Sequence, residues 1–474
     1  MADSTAQGSS KLTNPIRNIM RLATGDLVAK ATSFFAFVYL ARVLGVANFG
    51  VLEFAGSVLT YVLLMADGGL EMWGTREAAT TTDIPALAKR VVPLRLLLAS
   101  LSFGILLIVL PLFPHYPSLR AVLVIYGLTV FPPAVNLKWT FIGQQKMSGV
   151  ARGLVIGQAI FAITVVVFVH SPVALVWVPV FRLLSDVASA FYFARWFHRE
   201  QGSIGFKMSV HEISSGLRPA LTIGLSLAMG LLNYNFDAVL LGFLRGPTVV
   251  GWYSASYKLL LVGISVALTY FTGLFPALSG LYVANRDQFR VLVRRTVELW
   301  LGFVVPLVVA GSFLAGPLVG FLYGPAYANS AAPFRILVWS AALVVLRWVY
   351  MDSLRATGHQ GLDLRCAVTS ASLNVILNIL LIPHFGMIGA ASATVFADLV
   401  WFLMSYHYFR RVVLPGEPLP PVAGPLLGGS AMCAILWFAR SLDWPVQLLF
   451  SLVVYLLVQA QFGTLKRVST AFRR

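Results

Sequence analysis

The sequence predicts an all-α polytopic membrane protein of about fourteen transmembrane helices with both termini cytoplasmic. Three observations predict it: an apolar composition, hydrophobic runs of bilayer length, and basic residues that recur in every second connection. Hydrophobic residues make up 58% of the 474 and charged ones only 11%, whereas soluble domains carry about 25% charged residues. Mean hydropathy is +0.82.

At about 20 apolar residues per span, the segments fall near 18–44, 50–70, 89–111, 118–142, 150–170, 172–195, 216–243, 249–280, 292–322, 332–356, 364–383, 386–409, 420–440 and 444–464. Several exceed the minimum, which permits tilt or bending. The polar tail before the first, Met1 to Pro15, the length of the run and the lack of an A-x-A-like site mark an uncleaved span rather than a signal peptide. Alternate connections carry clusters such as Arg76, Lys89, Arg90 and Arg95, or Arg286, Arg290, Arg294 and Arg295. The opposite connections hold only Arg42, Arg120, Arg245, Arg335 and Arg440 near their edges. About 25 basic residues against about five set the orientation by the positive-inside rule.

None of the connections reaches the roughly 40 residues that a small independent domain needs. The longest polar stretch, about Phe197 to Gly216, divides the first twelve spans into two sets of six. The expected organisation is a cytoplasmic tail over 1–17, an N-lobe of spans 1 to 6 over 18–196, a cytoplasmic linker over 197–215, a C-lobe of spans 7 to 12 over 216–410, and spans 13 and 14 with a cytoplasmic tail over 411–474. An internal repeat accompanies this division, as in transporters built from duplicated halves. Gly45-Val-Ala-Asn-Phe-Gly50 after span 1 matches Gly246-Pro-Thr-Val-Val-Gly251 after span 7, and Gly143-Gln-Gln145 after span 4 matches Gly358-His-Gln360 after span 10.

The formal net charge of +17 does not point to nucleic acid, because the basic residues flank apolar segments and form no stripe with aromatics. Cys366 and Cys433 lie in apolar stretches, so neither a disulfide framework nor a thiolate metal site is indicated, and no cofactor is expected. There is no P-loop, no H-E-x-x-H and no G-x-S-x-G at a strand-to-helix turn. The chain does not read as an enzyme, and its energy would come from ion gradients, the membrane potential or mass action.

Local strings add a family. Tyr39-Leu-Ala-Arg-Val-Leu-Gly-Val-Ala-Asn-Phe-Gly50 resembles the turn between spans 1 and 2 of the Wzx-type polysaccharide flippases of the MOP superfamily. Further similar strings are Asp67-Gly-Gly-Leu70, Thr75-Arg-Glu77, Trp139-Thr-Phe-Ile-Gly143, Val250-Gly-Trp-Tyr253 and Gly386-Met-Ile-Gly-Ala-Ala391, in order over about residues 15–410. The resemblance implies a MATE-like fold of two six-helix lobes around a central cavity, with spans 13 and 14 as extras. It also implies a substrate: an oligosaccharide on polyprenyl diphosphate, moved from the cytoplasmic to the outer leaflet of a bacterial inner membrane for O-antigen or exopolysaccharide synthesis. Membrane lipids, and polysaccharide polymerase or export machinery, are the partners this implies.

Lys30, Arg182, Lys258 and Arg347 fall deep inside predicted spans, and Lys138 nearer the inner end of its own. A charge at mid-bilayer costs roughly 2.5–3.5 kcal/mol on the insertion scale, so each needs a polar cavity or a partner. Asp26 precedes Lys30 by four residues and Asp186 follows Arg182 by four, which puts each pair on one helical face. These pairs are either local neutralisation or part of a cavity that binds the diphosphate. Lys258 can bridge to Asp237. Arg347 has no acid at helical spacing on its inner-facing side, which makes it the leading candidate for bidentate phosphate contact; an ion pair with Asp398 is the alternative. Lys138 either binds substrate or snorkels. Asn233 and Asn235 bind sugar hydroxyls or bond between helices, and Asn374 and Asn378 share that ambiguity. Asp26, Asp186, Asp237 and Asp398 are candidates for coupling or gating. Pro132, Pro133, Pro179 and Pro306 mark possible bends. Other readings kept open are a lipid II flippase, a cation-coupled exporter and, from another class, a membrane-embedded glycan polymerase or ligase.

Overall fold

A computed structural model describes residues 6–113, 116, 118–202, 220–221, 224–225, 228, 235–416 and 422–462; within it the side chains of 6–27, 266, 269 and 272 are outside the description. The described residues are almost wholly helical and contain no strand. Backbone packing divides the chain into two compact units, 1–251 and 252–474. The linker expected at 197–215 lies outside the described residues from 203 onward.

In the first unit, α1 (Ala6–Asp67) is two helices joined at Gly45, whose φ of 72° and ψ of 169° belong to glycine alone. Then follow α2 (Leu70–Ala78), α3 (Ile84–Val109), α4 (Leu119–Leu128), α5 (Phe131–Val135), α6 (Lys138–Gly143), α7 (Met147–Phe168), α8 (Trp177–Gln201) and a helical stretch over 235–245, α9. The second unit holds α10 (Pro247–Ala284, which starts in the first unit), α11 (Arg286–Phe313), α12 (Ala315–Tyr323), α13 (Ala331–Ala356), α14 (Gln360–Tyr408), α15 (Ala423–Phe438) and α16 (Trp444–Gln461). Among the described residues, eight helical stretches are long and apolar enough to cross a membrane. Helix α14 bends at Gly386, at φ 55° and ψ −131°, three residues after Pro383.

Two of the proline expectations change. Span 4 is interrupted rather than bent, since Pro132 and Pro133 sit in the short α5 and the chain is extended at Asn136. Pro179 lies in the first turn of α8, where its missing amide costs nothing, so it is no mid-span bend. Pro306 is inside the continuous α11.

The first repeat has a spatial counterpart within the first unit. Gly45 and Gly246 both have positive φ, 72° and 85°. A Cβ on Gly50 would fall 1.7 Å from the Pro247 carbonyl oxygen, and one on Gly251 would fall 2.3 Å from that of Val46. Each motif's last glycine therefore packs on the residue after the other's first glycine. The second repeat shifts register. Both turns close with a six-residue bond, Lys146 N–H to Phe141 O at 2.9 Å and His359 N–H to Leu354 O at 2.8 Å, so Gln145 (φ 58°) corresponds to Gly358 (φ 82°). Gly143 is glycine for a different reason: its Cβ would lie 2.6 Å from the Thr75 carbonyl oxygen.

Buried cores hold each unit. Leu70, Val92, Trp139, Phe141 and Phe193 form one in the first. Phe271, Phe289, Trp300, Val345, Tyr350 and Phe409 form one in the second.

Candidate functional site

Three helices of the first unit, α1, α7 and α8, present residues at i, i+3, i+4 spacing to one cavity of about 240 Å³. Ala29, Lys30 and Ser33 come from α1, Leu154, Gly157 and Gln158 from α7, and Arg182, Ser185, Asp186 and Ser189 from α8. Lys30 and Arg182, more than 150 positions apart in sequence, thus face the same space.

Close approach of α7 and α8 builds this wall. Gly149, Gly153 and Gly157 recur every fourth residue along α7, the spacing that lets helix backbones meet. A Cβ would strike the Trp196 ring at 2.1 Å from Gly149 and the Phe193 ring at 2.4 Å from Gly153. At Gly157 the room goes to a hydrogen bond, as the Ser185 hydroxyl donates to its carbonyl at 2.7 Å. Gln158 donates its amide to the Ser33 hydroxyl, tying α7 to α1.

Arg182 Nε donates to the Asp186 carboxylate at 3.1 Å, and its guanidinium lies 5.9 Å from the centre of the Phe161 ring. The pair is only part-buried, with side-chain exposures of 39% and 20%, so the guanidinium keeps donors for a further acceptor. Lys30 is half-buried. Asp26 lies one turn before it on α1, its side chain outside the description. Two cations, one carboxylate, three hydroxyls and an amide suit an anionic group that carries sugar hydroxyls. A volume of about 240 Å³ falls below the usual 300–1,000 Å³ of a small-molecule site, which fits one moiety of a large substrate.

Arg347 corrects an expectation. It is not the least compensated of the deep cations: its Nη1 donates to Asp398 at 2.9 Å, with both side chains 1% exposed. Its guanidinium lies 3.6 Å from the centre of the Trp401 ring, and Ser340 donates to the other Asp398 oxygen. The reason is tertiary, since α13 and α14 pack side by side and bring together residues 51 apart in sequence.

Lys138 is also paired. Its ammonium meets Glu71 at 2.7 Å, while Arg95 reaches Asp67 at 3.0 Å and Glu71 at 3.5 Å. Asp67 accepts from the backbone N–H of Gly69 and Glu71 and so caps α2. Arg95, assigned from sequence to a cytoplasmic connection, is 2% exposed and central to this network. Its only sequence signal was the pair of acids Asp67 and Glu71 at the end of the preceding span.

Burial alone would raise the Glu71 carboxyl, but Lys138 and then Arg95 outweigh it and hold it below the usual carboxylate range. A carboxyl lowered on folding contributes stability above its unfolded value, about 4.3, and loses it as pH falls through the folded value. The detergent-solubilised protein should therefore lose more melting temperature than its Glu71→Gln variant as pH falls from about 5 to about 3, across and below the unfolded value. Parallel pH profiles by scanning fluorimetry would contradict this.

None of the remaining candidates is among the residues that line the cavity. Asp237 is buried on α9 and accepts from the Ala238 amide at 2.7 Å. Asn235 is half-buried at the start of the same stretch, and Asn233 lies outside the described residues. Lys258 is half-buried on α10. Asn374 and Asn378 are buried and bonded to each other at 2.8 Å. Among the described residues no cluster of His, Cys, Asp and Glu could hold a metal ion.

The chain resembles known proteins in sequence and fold. It is 22% identical to a putative O-antigen transporter of Escherichia coli K12 over 79% of this chain and 92% of that one. It is 26% identical to the probable flippase AglR of Haloferax volcanii over 48% of this chain, a match that spans about half (49%) of that protein's length. In fold it matches a lipid II flippase MurJ in an inward closed conformation, with a TM-score of 0.79 and 14% identity over 93% of this chain and 98% of that one. An inward-facing multidrug resistance MATE family transporter of the MOP superfamily follows, at 0.65 and 15% over 84% and 100%. The family profile described as polysaccharide biosynthesis protein matches residues 16–282, more than half of the sequence, and this chain, with several helices long and apolar enough to cross a membrane, belongs to that family.

Proposed function

We propose that this protein moves a polyprenyl-diphosphate-linked oligosaccharide from the cytoplasmic to the outer leaflet of a bacterial inner membrane, by alternating access and with fourteen crossings. The observation that carries the reading is the convergence of Lys30 and Arg182 on one cavity with Ser33, Gln158 and Ser189. The cations take the diphosphate, the hydroxyls and amide take the proximal sugar, and the polyprenyl chain stays in lipid. Asp186 holds Arg182 between substrates and yields it when phosphate arrives, because a phosphate is the more highly charged acceptor. Arg347 and Lys138, being paired, serve the scaffold; Asp26, Asp237 and Asp398 are the remaining candidates for coupling. The product would feed polysaccharide polymerase or export machinery.

A leaflet-sidedness assay in proteoliposomes with labelled polyprenyl-diphosphate oligosaccharide tests this. Lys30→Gln and Arg182→Gln should each slow appearance in the far leaflet about tenfold or more, the effect of losing one charge-assisted contact of about 1.5–3 kcal/mol. Both variants should melt within a few degrees of the parent, since each residue is part-exposed. Full transport by the double variant would end the assignment of this cavity.

A further inference from the structure

A second cavity, of about 490 Å³, lies in the other unit, remote in sequence from the site above. Its wall comes from the end of α11, the starts of α12 and α13, the end of α15 with the turn that follows it, and the start of α16. The polar groups are Arg335, Arg440, Asp443 and Gln447, with Trp444 and Leu436 among the apolar ones. In the orientation set by the basic connections, this is the outer end of the helices. Arg335 and Arg440 are two of the few basic residues on that side, where the positive-inside rule disfavours them.

The cavity is pre-organised. Gln447 is 8% exposed; its side-chain amide donates to the Leu442 carbonyl at 2.6 Å and its backbone N–H to that of Asp443 at 3.0 Å, which fixes the turn between α15 and α16. The guanidinium of Arg440 lies 3.8 Å from the centre of the Trp437 ring, so one face is held and its donor edge stays available. Asp443 sits at the N-cap of α16 without a side-chain capping bond. Neither arginine is ion-paired with a described residue. Two guanidiniums against one carboxylate leave a single excess positive charge.

The surroundings identify the kind of ligand. Trp437, Phe438, Val446 and Leu449 are more than half exposed beside the cavity, and Phe321 of α12 packs against Trp444 at 5.6 Å between ring centres. Apolar and aromatic groups around a polar mouth are the signature of the headgroup level of a bilayer. A free anion needs no such apolar surround, whereas a lipid uses both parts.

We propose that this cavity binds the phosphodiester headgroup of a monoanionic lipid from the outer leaflet, with Arg335 and Arg440 on the phosphate and the acyl chains along α15 and α16. The inference goes beyond transport and rests only on the orientation of the chain. Its occupant would anchor the two helices that follow the twelve-span core.

Native mass spectrometry of the full-length protein in detergent, titrated with short-chain phosphatidylglycerol, phosphatidylcholine or inorganic phosphate, tests it without reference to flipping. Phosphatidylglycerol should bind about tenfold tighter than phosphatidylcholine. Arg335→Gln/Arg440→Gln should weaken it about tenfold or more, the scale of a lost charge-assisted bond. Arg335→Lys/Arg440→Lys, which keeps the charges but not the planar donor edges, should bind more tightly than the Gln double variant and less tightly than the parent, and Arg245→Gln, outside the cavity, should retain all of the affinity. Unchanged binding in the Gln double variant would overturn the site, and so would equally tight binding of inorganic phosphate, which would show a free-anion pocket instead.

Discussion

Arg347→Met should yield little folded protein, and the reason is the partner it leaves behind. Asp398 is buried and 2.9 Å from the guanidinium, and the pair is sealed by Trp401 and Ser340. Breaking a buried ion pair by removing one member costs about 3–5 kcal/mol, a large share of the roughly 5–15 kcal/mol that holds a typical domain. Replacing both members by apolar residues of similar volume is often near neutral. The double variant Arg347→Met/Asp398→Leu should therefore recover most of the monodisperse fraction and melting temperature in fluorescence-detected gel filtration. Recovered transport by that double variant would make the pair structural; recovered folding without transport would give one member a direct part in the cycle. An Arg347→Met variant as stable as the parent would refute the buried-pair account altogether.

The same pair shows where sequence reasoning stops. Composition, run length and basic alternation sufficed for the helical membrane fold, because solvation by lipid constrains every span in the same way. The i,i+4 pair Arg182–Asp186 was legible for a similar reason, being fixed by helix geometry alone. Placing Lys30 opposite Arg182 took the packing of α1 on α7 and of α7 on α8, which no local rule supplies. For Arg347, spacing offered no nearby acid on the inner side, and the choice between phosphate and Asp398 depended on how α13 packs on α14. Arg95 misled in the other direction: a count of charges reads it as loop, yet Asp67 and Glu71 fold back to bury it. The glycine stripe along α7 was visible in the sequence, and its every-fourth spacing was the available signal for the tight α7 and α8 wall.

Glycine also sets the second large effect, Gly50→Ala. The added Cβ would lie 1.7 Å from the Pro247 carbonyl oxygen and 2.5 Å from its carbon, and both atoms are backbone, so no rotamer change relieves the clash. Overpacking of this kind costs about 1–3 kcal/mol where neighbours yield, and here the yielding group is the turn that opens α10. Gly251→Ala meets the Val46 carbonyl oxygen at 2.3 Å and should destabilise in the same sense by a smaller amount. Gly56 of the same helix has no atom within 4 Å of its Cβ position, so Gly56→Ala should stabilise by up to about 1 kcal/mol through helix propensity. Thermal unfolding of the three variants side by side separates close approach from a general effect of glycine replacement. Equal melting temperatures for Gly50→Ala and Gly56→Ala would mean that the two motifs do not touch. The predicted ordering follows from the repeat itself, because two like turns facing each other leave room for a side chain at neither.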